Sequence, residues 1–348
     1  MVGYEIVGRI AYPLGLGSLS MDNVVEAFCI QSGIPKPLEL TPIRAGRNSA
    51  VFKISSNRKE WVLKHYFKHE ADKRDRLGTE SQFLKFLNQV GCQTVAKPIA
   101  IDDSKQLAIY SFISGTKPSI ITDSHIDQAT QFILLLHSLR KHPSSHVLKN
   151  AADACFDVEQ HVNLVNARLE QFSYIEPNGA EVIAFLEWVK DVLKPAWLKI
   201  RANILAANKS SLIQEATLSP SDFGFHNTLE YHGTLSFIDF EYAGWDSMAK
   251  LICDFICQPE LPITSSQAVQ FLTKISRETN DPGLMDLVNT LLPLHRVKWC
   301  CILLNVFRSV DRQRRSHSGI SSSDILNEQL NKAKYYFETH LQDSRKEN

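Results

Sequence analysis

A chain of 348 residues exceeds a typical single domain, so two domains or lobes are expected. Lysine plus arginine and aspartate plus glutamate both number 38, so the formal net charge is zero and no electrostatic ground favours nucleic acid or an anionic membrane as partner. The seven cysteines sit mostly in apolar runs, and Cys253-x3-Cys257 has no second pair at zinc spacing; together with no apolar run approaching a membrane span and no secretory leader, this predicts a reduced, cytoplasmic, non-membrane protein.

Residues 1–20 read as a loose extension, followed by a helix over 22–32 that Asp22 caps and Gly33 and Pro35 end. Three apolar runs at 38–43, 50–54 and 61–66 read as strands, with polar turns at 44–49 and 56–58. A helix at 76–90 carries Leu77, Phe83, Leu84 and Leu87 on one face, and strands at 99–101 and 107–112 complete a five-stranded sheet. After a linker at 114–118 the chain turns helical, at 126–140, 158–172 and 180–207, the last broken near Pro195. Further helices are expected at 249–257, 266–277, 282–292, 295–310 and 323–340, with a loop at 312–322. The fold class is therefore α+β: residues 1–37 as extension and leading helix, 38–113 as a small antiparallel-sheet lobe, and 114–348 as a larger, mainly helical lobe.

Within the larger lobe, residues 218–241 read LSPSDFGFHNTLEYHGTLSFIDFE. Thr228 to Tyr231, the His232-Gly233 turn and Leu235 to Ile238 form strand, turn and strand. A hairpin brings its ends together, so Asp222 and Asn227 on the loop before it come near Asp239 at its exit. Two or three oxygen ligands of this kind suit a hard cation such as magnesium, with a carboxylate left over as base. Lys64, mid-strand after Trp61-Val62-Leu63, and Glu80, sixteen residues later on a helix, suit a charge pair behind a nucleotide phosphate. His226, beside Asn227, reads as a substrate contact or a loop support, and Glu241 likewise. Asp246 reads as a helix cap, Asp102-Asp103 as a tight turn, and Trp299, Cys300 and Cys301 as core.

These ordered motifs resemble the aminoglycoside phosphotransferase/choline kinase-like family, which shares the protein kinase fold; the resemblance runs from Leu38 to the C-terminal helix. It implies that Gly46, Asn48 and Ser49, with Arg47 among them, cover the nucleotide phosphates, that Lys64 and Glu80 are the strand lysine and helix glutamate, and that backbone at Ser111, Phe112 and Ile113 receives the adenine. It further implies Asp222 as the catalytic base, Asn227 and Asp239 as ligands of Mg2+, and ATP, or GTP, as phosphoryl donor to a small-molecule hydroxyl. The run Phe240 to Asp246 continues the likeness. Two departures stand out: Pro220 replaces the histidine two places before the catalytic aspartate, and the phosphate loop has a single glycine, Gly46.

Three competing functions follow. One is a pseudokinase-like nucleotide-binding scaffold, favoured by the two departures. Another is an antibiotic O-phosphotransferase. The third, a protein kinase, lacks the long activation segment after Asp239. Acids Glu278, Asp281, Asp286 and Asp311 are balanced by Arg296, Lys298, Arg308 and the arginines 312, 314 and 315. That balance predicts a neutral or anionic acceptor, such as a sugar or metabolite hydroxyl.

Overall fold

The computed structural model describes residues 18–36, 38–43, 48–207, 215–318 and 324–342. In chain order the elements are α1 (Ser18–Gln31), β1 (Glu39–Ile43), β2 (Ser49–Ser56), β3 (Lys59–Tyr66), α2 (Arg76–Gln89), β4 (Pro98–Asp102), β5 (Leu107–Ser111), α3 (Asp123–Leu139) and α4 (Val158–Gln171). They continue with α5 (Ala180–Trp188), α6 (Lys194–Ala206), β6 (Ala216–Ser219), β7 (Thr228–Tyr231), β8 (Thr234–Phe237), β9 (Gly244–Ser247), α7 (Met248–Cys257), α8 (Ser265–Thr279), α9 (Leu284–Leu303), α10 (Ser309–His317) and α11 (Ile325–His340). Contacts divide the chain into two compact units. The first is Met1–Lys73, Lys97–Phe112 and Val310–Ser322; the second is Arg74–Ala96, Ile113–Ser309 and Ser323–Asn348. Helix α2, expected alongside the sheet, groups instead with the second unit.

The first unit is an antiparallel sheet in the order β1-β2-β3-β5-β4. Pro42, which cannot donate to a ladder, lies on the edge strand β1. Alternation sorts the residues of β2, β3 and β5 onto two faces. Phe52, Ile54, Leu63, Leu107 and Ile109 form a buried core with Val25, Phe28 and Cys29 of α1. Lys64 lies on the opposite face, paired in register with Val51 and Ala108. Helix α10 completes the unit: His317 donates from Nε2 to the carbonyl of His65 (3.0 Å), and Arg314 pairs with Asp311 and Asp72. The loop expected over 312–322 is thus helical through His317, with Arg314 meeting carboxylates rather than water.

In the second unit α9 is central, packed on α7, α4, α6 and α11. It runs unbroken through Pro293, where two helices were expected; Leu291 and Leu294 on either side are fully buried, and that packing outweighs the proline penalty. As one piece, Leu284–Phe307 is long and apolar enough to cross a membrane, contrary to the sequence expectation, but 61% of it is buried inside the unit, as in a core helix. The break expected near Pro195 is a π-helical turn, Val189–Leu193, that carries α5 into α6 without interruption. Two short strand pairs frame the loop of interest: β6 with β9, and β7 with β8.

Beneath β9 lies a buried ionic cluster. Lys250 Nζ stands 2.8 Å from Asp246 Oδ2 and 3.0 Å from Asp254 Oδ2, while Lys298 and His295 meet the other oxygen of Asp254. His161 Nδ1 lies 3.0 Å from His295 Nε2. Asp246 is therefore a core ion-pair member and not the helix cap; Ser247 caps α7 by accepting from the Lys250 N–H. Trp299, Cys300 and Cys301 are buried as expected.

Candidate active site

The β6–β9 ladder pairs Ser219 with Gly244 and so closes the neck of the segment carrying Asp222, Asn227 and Asp239. The neck is seated on residues 149–152: Trp245 donates to the Lys149 carbonyl (2.9 Å), and the amides of Ala151 and Ala152 donate to the carbonyls of Trp245 and Tyr242. Position 244 needs a glycine for space, since a Cβ there would collide with the Lys149 carbonyl.

Beyond β6 the chain makes a three-residue turn. The Asp222 N–H donates to the Pro220 carbonyl (2.9 Å), with Ser221 between them at φ +66°. Two hydroxyls fasten it: Ser221 N–H donates to Ser219 Oγ (3.0 Å), and Ser221 Oγ donates to the Ala152 carbonyl (3.0 Å). Pro220 thus leaves the loop supported by serines. Phe223 and Phe225 then pack in the core against Phe255, and Phe223 also stacks on Phe132, which anchors the loop on both sides of Gly224.

Asn227 ties the pieces together. Its Nδ2 donates to the Asp222 carbonyl (3.0 Å), and its own carbonyl accepts from the Ile238 N–H (3.0 Å), one residue before Asp239. The amide nitrogen being committed, Oδ1 is the atom that would meet a cation. Asp239 is held at φ +69°, an uncommon conformation for a non-glycine residue and one that clusters at functional sites. One carboxamide and one carboxylate oxygen fit magnesium, which takes few protein ligands and completes its shell with phosphate and water. Among the described residues no group of three His, Cys, Asp or Glu side chains gathers as a metal set.

Helix α2 braces the exit from Asp239. Glu80, 2% exposed, accepts from the Phe240 N–H (3.4 Å), and Phe83 stacks on the Phe240 ring at 5.4 Å. Arg76 pairs with Glu241 (3.7 Å) and lies over the Tyr242 ring. Glu241, expected near substrate or as loop support, is buried in that ion pair. Sequence reading missed Arg76, Ser219 and Ser221; only Arg76, on the same helix face as Glu80 and one turn away, carried a signal.

In the first unit, Ser49 and Lys64 share the sheet face that also holds Tyr66 and Tyr110, whose hydroxyls meet at 2.7 Å. The Lys64 ammonium lies 5.8 Å from the Tyr66 ring centre. Asn48 immediately precedes β2, and Gly46 lies outside the described residues. The Ser111 N–H donates to the Lys97 carbonyl (2.9 Å), and its Oγ accepts from the Lys97 N–H (2.8 Å). Phe112 and Ile113 follow it, where the chain passes from one unit to the other.

A sheet unit bearing a strand lysine and a helical unit bearing an Asp-x4-Asn loop with a following aspartate define a protein kinase-like phosphotransferase, an enzyme that acts on an alcohol group. The sequence model of the phosphotransferase enzyme family matches residues 39–255, more than half of the chain, and the chain belongs to that family. Among solved structures, the chain is similar to an ethanolamine kinase from Plasmodium vivax (TM-score 0.59, 15% identity, covering 92% of this chain and 88% of that one). It is also similar to a choline kinase from Streptococcus pneumoniae (TM-score 0.57, 13% identity, 92% and 99% covered). A spectinomycin phosphotransferase solved with ADP and spectinomycin gives TM-score 0.59 at 13% identity, with 89% and 98% covered. No curated protein matches the chain by sequence.

Proposed function

We propose that this phosphotransferase is an ATP-dependent small-molecule kinase, with GTP as the alternative donor, that phosphorylates a hydroxyl of a metabolite or sugar with Asp222 as base. The observation that carries the reading is the pair of bonds made by Asn227, to the Asp222 carbonyl and from the Ile238 N–H, which supports Asp222 as base beside Asn227 and Asp239 as oxygen ligands. Asp222 orients the acceptor hydroxyl and takes its proton. Asn227 Oδ1 and the Asp239 carboxylate hold magnesium, which when bound neutralises charge on the phosphate oxygens. Lys64 meets the phosphates, with Gly46, Asn48 and Ser49 as their cover. Because the Ser111 N–H is committed to Lys97, the adenine is read by the backbone of Phe112 and Ile113 and by the Ser111 carbonyl.

The acceptor is read from charge. Glu278 pairs with Arg277, Asp311 with Arg314, and Lys298 is buried on Asp254. These residues therefore favour neither the cationic acceptors named for the ethanolamine kinase, choline kinase and spectinomycin phosphotransferase neighbours nor a strongly anionic one. A neutral hydroxyl compound suits them best, and Arg314, already paired with Asp311 and Asp72, gives little support to an anionic acceptor. All seven cysteines are free and buried, which suits the cytoplasm.

Magnesium-dependent ATP consumption by the full chain, measured against sugars, polyols, choline, ethanolamine and aminoglycosides, tests both levels. Turnover is expected with a neutral hydroxyl compound, and Asp222→Asn should lower it by about 10²–10⁴ while ATP binding persists. Efficient phosphorylation of choline or an aminoglycoside alone overturns the acceptor class. Near wild-type turnover by Asp222→Asn overturns the base.

A further inference from the structure

We infer that His226 is the positioning residue of Asp222: its imidazole stands behind the catalytic loop and fixes the carboxylate in the orientation that meets the acceptor hydroxyl. The inference rests on the reading of Asp222 as the base. His226 Nε2 lies 3.3 Å from Asp222 Oδ1, and the two side chains are 12% and 33% exposed. The carboxylate thus faces outward and the ring is set inside it. His226 Nδ1 is buried with no hydrogen-bond partner among the described residues.

Those facts decide which group supports which. Where an aspartate supports a histidine base, one ring nitrogen faces the carboxylate and the other faces the substrate. Here the nitrogen that would face a substrate is enclosed, so the roles are reversed and Asp222 is the group presented. The tautomer follows as well. With hydrogen on Nε2 the ring turns its N–H edge toward the carboxylate 3.3 Å away and leaves a lone pair in the enclosed space. The opposite tautomer would set a lone pair against Asp222 and bury an unpaired N–H.

The neighbouring glycine explains how the ring is accommodated. Gly224 has φ 173°, extended backbone that any residue adopts, so the position has no conformational need of glycine. Its need is spatial: a Cβ there would stand 2.7 Å from His226 Nδ1 and 2.9 Å from Gln258 Cγ. Gln258 is itself anchored, its Oε1 accepting from the N–H groups of Glu260 (3.0 Å) and Leu261 (3.2 Å). The imidazole is therefore boxed between the Gly224 backbone and a fixed side chain, and a group oriented by the fold in advance need not be ordered in the transition state.

Steady-state kinetics of the full chain with magnesium-ATP and whichever compound of the sugar, polyol, choline, ethanolamine and aminoglycoside panel turns over best test the role. His226→Leu should lower kcat by about 100-fold with the KM for ATP changed less than about threefold, the signature of a misplaced catalytic group. His226→Gln, which sets a neutral amide donor near the Nε2 position, should recover to within about tenfold of wild type. Gly224→Ala should reproduce the loss, and in a Gly224→Ala/His226→Leu double variant the losses should not add. Wild-type kcat in His226→Leu, or no gain from His226→Gln over His226→Leu, overturns the inference. The imidazole 15N spectrum tests the pairing without turnover. It should show the Nε2–H tautomer and shift in Asp222→Asn; the other tautomer, or a spectrum indifferent to Asp222→Asn, overturns the pairing itself. If the pairing is seen and the wild type transfers nothing from ATP, the phosphotransfer reading has failed and the contact is structural only.

Discussion

The second unit handles two sets of carboxylates, close together in sequence, in opposite ways. Asp246 and Asp254 are sealed in the core with Lys250 and Lys298, each at most 4% exposed. Asp222 and Asp239 stay partly exposed, next to or on residues with positive φ, and His226 stands beside Asp222. Burial acts against every charge in the first set, yet the two carboxylates outweigh it at Lys250 and hold the amine well above its ordinary value, and the lysines hold Asp254 well below its own. Asp246 is the exception, raised by burial although Lys250 pulls it down. Matched and buried, a carboxylate specifies architecture; the exposed pair, beside or on strained backbone, is the one proposed for the chemistry.

Breaking the buried set should give the largest change in stability. Lys250→Met leaves Asp246 and Asp254 without their shared cation and should cost about 3–5 kcal/mol in chemical denaturation, while Asp222→Asn changes stability by about 0.5 kcal/mol or less. Equal effects from the two would erase the distinction. Acid should act next. Burial lowers His295 to about 4 despite Asp254, and burial with the neighbouring His317 lowers His65 to about 4. A folded value below the unfolded 6.5 means that the unfolded chain binds more protons between pH 6.5 and 4, so stability is present above that window and falls as pH drops through it. The slope should reach about 1.4 kcal/mol per pH unit for each histidine, and flat melting temperatures from pH 7 to 4 would refute it. A change smaller than that of Lys250→Met or of acid is expected at the loop support. Ser221→Ala removes one hydroxyl bond to the Ala152 carbonyl and should cost about 1 kcal/mol.

The sequence already carried the sheet and the hairpin, because alternation in β2 and β3 and the His232-Gly233 turn are strong local signals. It also carried Asp222, Asn227 and Asp239, whose spacing around that hairpin survives folding intact. Strands β6 and β9 were invisible, since four residues each are too few for periodicity and their pairing is set by contacts distant in sequence. The ionic cluster had a trace in Asp246, Lys250 and Asp254, four residues apart on an otherwise apolar stretch. Its meaning depended on α9 bringing Lys298 and His295. Helix α10 reads as a loop in sequence because Arg312, Arg314 and Arg315 look solvated, and Asp72, which pairs with Arg314, lies far back in the chain. The continuity of α9 through Pro293 and of α5 into α6 before Pro195 likewise came from tertiary packing, which no local rule anticipates.

The neck formed by β6 and β9 also governs when the site comes into being during folding. Ser219 and Gly244 are 25 positions apart, so the enclosed loop cannot hold its geometry until that closure entropy has been overcome. Once the ladder zips and α7 docks behind it, the loop becomes ordered as one cooperative piece. Amide exchange at Ile238 and Phe240, whose N–H groups meet Asn227 and Glu80, should then proceed through the same opening as the neck, tying the lifetime of the chemical site to that of two four-residue strands.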